Sequence, residues 1–179
     1  METFEHKGLT IRIEQDTGAE GPDAWGNDDL LLLTTKNRHF EVIPKGFSPA
    51  SEDTASEVGE TYDILPLFAY IHSGVALSLG RAYPLDDRWD SGQIGFVLIK
   101  KGVGFKDIIK SAQSLVDEWN QYLSGEVYGF IVEDSDGNHL DSCWGFYGFE
   151  NCKREAESAA DSWADEHEKI AKMEAGYAL

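Results

Sequence analysis

Positive charge is what this sequence has least of. There are 15 Lys+Arg against 33 Asp+Glu, a formal net charge of −18. Such a surface repels nucleic acid and anionic lipid and attracts basic proteins. Lys100-Lys101 and Lys153-Arg154 are the only adjacent basic pairs, too few for a basic-aromatic nucleic-acid surface. Cysteine is scarce as well. Cys143 and Cys152 could bond in geometry, but two cysteines in a chain without a secretory signal favour reduced thiols. No run approaches the ~20 apolar residues of a membrane span. The opening METFEHKGLT lacks the apolar core of a signal peptide, so a soluble cytoplasmic protein is the expectation. Walker and dinucleotide glycine motifs are missing too, and no cofactor is expected.

What the sequence does contain argues for a packed globule. Hydrophobic residues make up 41% and aromatics 12%. A chain of 179 residues can bury roughly 70% of its unfolded surface as one domain, so 1–179 is expected to form a single domain without staples. The charge is uneven. Residues 1–63 carry −9, 64–104 carry +1, 105–148 carry −6 and 149–179 carry −4. The near-neutral middle reads as core.

Strand periodicity recurs along the chain. Leu9, Ile11 and Ile13 alternate with Thr10, Arg12 and Glu14. Gln15 to Asp29 reads as a loop anchored by Trp25. Leu30 to Thr35 and Phe40 to Ile43 read as short strands. Residues 44–60, rich in Ser, Pro, Gly and acid, are expected as a mobile acidic loop or as a short helix around Glu52 to Val58. Tyr62 to His72 is a strand in which Pro66 demands an edge or a bulge. Val75 to Leu79 and Gly92 to Lys100 follow, the latter apolar on both faces and so covered on both.

The clearest helix spans 105–124. Phe105, Ile108, Ile109, Ala112, Leu115, Val116, Trp119 and Leu123 recur at spacings of three and four, with Gly125 as the stop. Next, Tyr128, Phe130 and Val132 share one strand face, and Asp136-Gly137 suits a two-residue hairpin turn into His139 to Cys143. A second helix is expected over about 151–175, capped by Asn151, with a stripe of small residues inside and acids outside. The fold class expected is α+β: a largely antiparallel sheet of about seven strands with these two helices packed on it.

Catalytic patterns are weak. Asp134, Asp136, Asn138 and Asp141 hint at a cation loop. Counting from Asp134, however, an EF-hand's sixth position holds His139 and its twelfth Gly145, which fails the pattern. Cys143, Cys152 and His139 lack the close ligand pairs of a zinc site, so no metal is expected, and Cys143 reads as a buried strand residue. A cysteine hydrolase with Cys143, His72 and Asp90 can be drawn, but the thiol has no helix N-terminus to activate it. The chain is expected not to be an enzyme.

Two stretches carry a resemblance. Leu65-Pro66 through His72-Ser73-Gly74 leads into Trp89-Asp90-Ser91-Gly92-Gln93-Ile94-Gly95. Gly125-Glu126-Val127-Tyr128-Gly129 is followed by Asp141-Ser142-Cys143-Trp144-Gly145-Phe146-Tyr147-Gly148. Over about 62–165 these resemble a family of small acidic proteins encoded by phages and plasmids. Where that family has Ser-Cys-Pro before Trp-Asp-Ser-Gly, this chain has Leu85-Asp86-Asp87-Arg88. The resemblance implies a mobile-element gene acting in a bacterial cytoplasm and carries over no catalytic residue.

Charge and resemblance together favour a non-enzymatic inhibitor of a bacterial defence system, CRISPR or restriction. It would act as an acidic DNA mimic on a basic nucleic-acid-binding host protein. The contact acids expected are Asp134, Asp136, Glu155, Asp161, Asp165 and Glu168. The alternative is an interaction module with an apolar contact at Trp89 or at an exposed edge near Pro66.

Overall fold

The computed structural model describes residues 1–25, 28–80 and 91–177. They divide into two compact units. One is split in sequence, residues 1–19 with 125–179; the other, residues 20–124, is inserted into it. Where one sheet of about seven strands is expected, the described residues form eight antiparallel strands in two four-stranded sheets. The α+β class holds.

The split unit contains β1 (Glu2–His6), β2 (Leu9–Gln15), β7 (Val127–Glu133), β8 (His139–Tyr147) and α3 (Phe149–Tyr177). Its sheet order is β1-β2-β7-β8. Ile11 lies opposite Val132 and Ile13 opposite Phe130. With period-two alternation this puts Leu9, Ile11 and Ile13 on the same face as Tyr128, Phe130 and Val132. That face packs against Cys152, Ala156 and Ala160, whose small side chains let α3 approach closely. α3 begins two residues before the expected Asn151 cap.

The hairpin is longer than expected. Asp134 and Asn138 close it with a backbone bond of 3.0 Å, leaving three residues in the loop rather than two. Gly137 holds the positive φ of 80° that such a loop requires.

The inserted unit contains β3 (Leu30–Thr34), β4 (Tyr62–Ile71), β5 (Val75–Leu79), β6 (Ser91–Lys100), α1 (Thr54–Val58) and α2 (Ile108–Ser124). Its sheet order is β3-β6-β4-β5. α2 buries Ala112, Val116 and Trp119 against Leu32, Val97 and Ile99. Asp107 opens the helix by accepting a hydrogen bond from the Lys110 N–H at 3.0 Å.

The other face of this sheet, with Leu33 and Leu98, meets Ala50, Phe47 and Val58. β6 is thus covered on both sides, as its sequence requires. The 44–60 stretch takes the helical form, in α1. Phe40 to Ile43 is not a strand. The Thr34 hydroxyl accepts a hydrogen bond from the Val42 N–H and replaces the ladder locally, while Phe40 and Val42 stay buried.

Pro66 is not at an edge, because β4 lies between β6 and β5; a bulge at Leu67/Phe68 adjoins it instead.

Candidate interface of the split unit

α3 packs on one face of its sheet, and the opposite face is polar and half-buried. Strand alternation places Thr10, Arg12 and Glu14 there. Arg12 Nε lies 2.8 Å from Glu14 Oε1, and its Nη1 is 3.5 Å from Glu133 Oε2. On the same face, Trp144 lies flat across Gly129. Any Cβ at position 129 would overlap the indole at Cγ, Cδ2 and Cε3, so glycine is what admits the ring. The indole remains 44% exposed. An exposed tryptophan held against a sheet presents a large, rigid apolar surface, the type of group that anchors protein contacts.

β8 is an edge strand, and it carries Cys143 beside Trp144. The expectation that Cys143 is buried is wrong: it is exposed, and Cys152 is the buried thiol. Burial pushes Cys152 up to about 11, with the neighbouring Cys143 adding to the shift. Both thiols are free. His139 Nε2 is 3.1 Å from the Ser142 hydroxyl. Among the described residues no group of three or more His, Cys, Asp or Glu could hold a metal ion. Of the drawn hydrolase residues, Asp90 lies outside the described residues, and Cys143 and His72 belong to different units.

The acids of α3 do not form one group. Helical periodicity puts Glu150, Glu157, Asp161 and Asp165 along one flank. The last three are spaced four residues apart, or about 6 Å at the helical rise. Glu155 and Glu166 fall on a different flank. The ridge is partly compensated. His6 Nε2 is 2.7 Å and Lys7 Nζ 3.0 Å from Asp161 Oδ1, and Lys7 also reaches Asp165 at 3.6 Å. These contacts hold the Asp161 carboxyl below the usual carboxylate range, first through His6 and then Lys7.

Arg154 pairs with Glu155 at 3.4 Å. Glu150 and Glu157 have no side-chain partner among the described residues.

The hairpin acids also divide. Asp134 is committed to its own turn, accepting bonds from the Asp136 and Asn138 N–H groups and the Asn138 side chain at 2.8–2.9 Å. Those bonds, led by Asn138, lower its pKa. The Asp136 carboxylate has no partner among the described residues. Trp89 and the Glu168 side chain lie outside the described residues.

Sequence reasoning missed Trp144 as a surface group. The DSCWGFYG run suggested rings packed among glycines, and the relevant glycine, Gly129, sits on the neighbouring strand.

By charge, the split unit has 17 Asp+Glu against 6 Lys+Arg, a net of −11, while the inserted unit has 16 against 9, a net of −7. No helix among the described residues is long and apolar enough to cross a membrane. Comparison of the chain with protein-family models, curated proteins and solved structures returned no match.

Proposed function

We propose that this chain is a non-enzymatic inhibitor that docks its split unit onto the basic nucleic-acid-binding surface of a bacterial defence protein. The observation that carries the reading is the concentration of −11 in the smaller unit. There, one flank of α3 presents carboxylates at regular spacing. Carboxylates in such a row meet the Arg and Lys groups that otherwise hold phosphates, and the encounter is steered by charge. The mobile-element and defence setting rests on the resemblance of the two aromatic-glycine stretches.

The acids assigned to contact narrow on geometric grounds. Glu150, Glu157 and Asp136 are unpaired among the described residues, and Asp165 is held only by the longer 3.6 Å contact to Lys7. Asp134 and Asp161 serve mainly to hold the turn and the β1–α3 contact, and Glu155 lies off the ridge.

A second reading is favoured by Trp144: an interaction module whose contact is apolar, with charge serving solubility. The two separate cleanly in a pull-down from host lysate. On the first reading, a triple variant (Glu150→Gln, Glu157→Gln, Asp165→Asn) loses a nucleic-acid-binding partner that wild type retains at low salt and releases at high salt. On the second, Trp144→Ala abolishes capture and the triple variant keeps it. Retention of the same partner by both variants would refute both readings.

A further inference from the structure

The inserted unit contains a cavity of about 620 Å³ between β3, the 42–45 segment and α2. Its inner wall is apolar: Leu32, Val42, Leu115 and Trp119. Trp119 is 5% exposed and fixed edge-on between Phe40 and Tyr122, with ring centroids 5.5 and 5.8 Å away. The wall is therefore preformed. The volume falls within the range of about 300–1,000 Å³ that holds small organic molecules.

The polar lining is lopsided. Asp23, Asp28 and Glu118 contribute three carboxylates, while Lys45 contributes the one ammonium among the lining residues. Asp23 and Glu118 have no cationic partner among the described residues, whereas Asp28 also acts on Lys100. Glu118 stands on α2 directly before Trp119. Its pKa is raised, mainly because the surrounding wall removes water from the carboxylate and secondarily because Asp117 adjoins it. Glu118 is exposed at the cavity mouth, and with three carboxylates against one ammonium in the lining the rim favours a ligand that brings a cation with it.

We propose that this cavity binds an organic cation, with an aromatic or aliphatic body against Trp119, Leu115, Leu32 and Val42 and an amine or guanidinium facing Glu118. Cavity shape supplies affinity for the apolar body, and Glu118, helped by Asp23 and Asp28, selects for positive charge. The inference is independent of the reading of the split unit.

The test titrates naphthylmethylamine and its uncharged counterpart naphthylmethanol into the intact protein, following the Trp119 indole N–H by NMR. The amine should bind saturably and about tenfold more tightly than the alcohol, a difference of about 1.4 kcal/mol. Glu118→Gln should remove most of the amine's advantage over the alcohol and leave the alcohol unchanged. Lys45→Gln, which removes the competing ammonium, should tighten the amine severalfold. Equal affinity for the two probes, an amine affinity unchanged in Glu118→Gln, or no saturable shift with either probe would each overturn the proposal.

Discussion

The two four-stranded sheets of this chain are finished in different ways. In the inserted unit, α2 covers one face and Phe47, Ala50 and Val58 cover the other. In the split unit, α3 covers one face, and Trp144 lies partly exposed on the other. The less enclosed unit also carries the larger negative charge, −11 against −7. A sheet closed on both sides leaves its faces to the core, and the inserted unit offers a cavity beside Trp119 instead. In the split unit the second face instead carries the Arg12, Glu14 and Glu133 charges and the half-exposed Trp144 indole.

The largest expected effect that would sharpen this contrast comes from truncating each core. Ile11→Ala in the split unit and Leu98→Ala in the inserted unit should each cost ~2–5 kcal/mol, since both side chains are fully buried. Amide exchange should show protection lost first in the unit that holds the substitution. Loss spread evenly over both units would break the comparison. Next comes Gly129→Ala. The added methyl must displace the Trp144 ring, at a cost of ~1–3 kcal/mol, and the tryptophan emission should shift to the red. Unchanged stability and emission would mean the ring is not seated on the sheet.

Thiol chemistry gives a cleaner but smaller readout of the same asymmetry. In the native protein an alkylating reagent should modify Cys143 on the open side of β8 and leave Cys152, whose pKa is pushed up to about 11, unmodified until unfolding. Mass spectrometry showing both modified at equal rates would contradict the packing of α3.

The smallest effect is in pH. Asp161 has a folded pKa below its unfolded one, so its stabilising contribution is complete above the ordinary carboxylate range. That contribution is lost as pH falls through the lowered folded value. Asp161→Asn should therefore be less stable than wild type at neutral pH and converge with it in acid, measured by denaturant unfolding. A constant difference across that window would remove His6 and Lys7 as the cause.

How much of this was legible in the sequence depends on how local each determinant is. The α2 stripe, the shared face of Tyr128, Phe130 and Val132, and the two covered faces of β6 follow from periodicity within one segment. β1 escaped notice because Glu2–His6 is an edge strand whose one apolar side chain is Phe4, set under Lys153 at 5.0 Å from the ring centroid. The division into two sheets was not readable either. β2 pairs with β7 across the whole inserted unit, and alternation says which way a side chain faces, not which strand lies beside it.

The site shows the same limit. Charge could be counted from the sequence, but Asp134, Asp161 and Glu155 could not be set apart from Glu150 and Glu157 until their hydrogen bonds and cations were seen. Trp144 emerged only once Gly129 was placed beneath it.

The most direct test of the account is the salt dependence of affinity for the captured partner, compared between wild type and the Glu150→Gln, Glu157→Gln, Asp165→Asn variant. The account predicts that wild-type affinity falls steeply and linearly in log–log form as salt rises, and that the triple variant shows weaker binding with a shallower slope. An affinity that stays flat with salt, or a slope that the three substitutions leave unchanged, would contradict it.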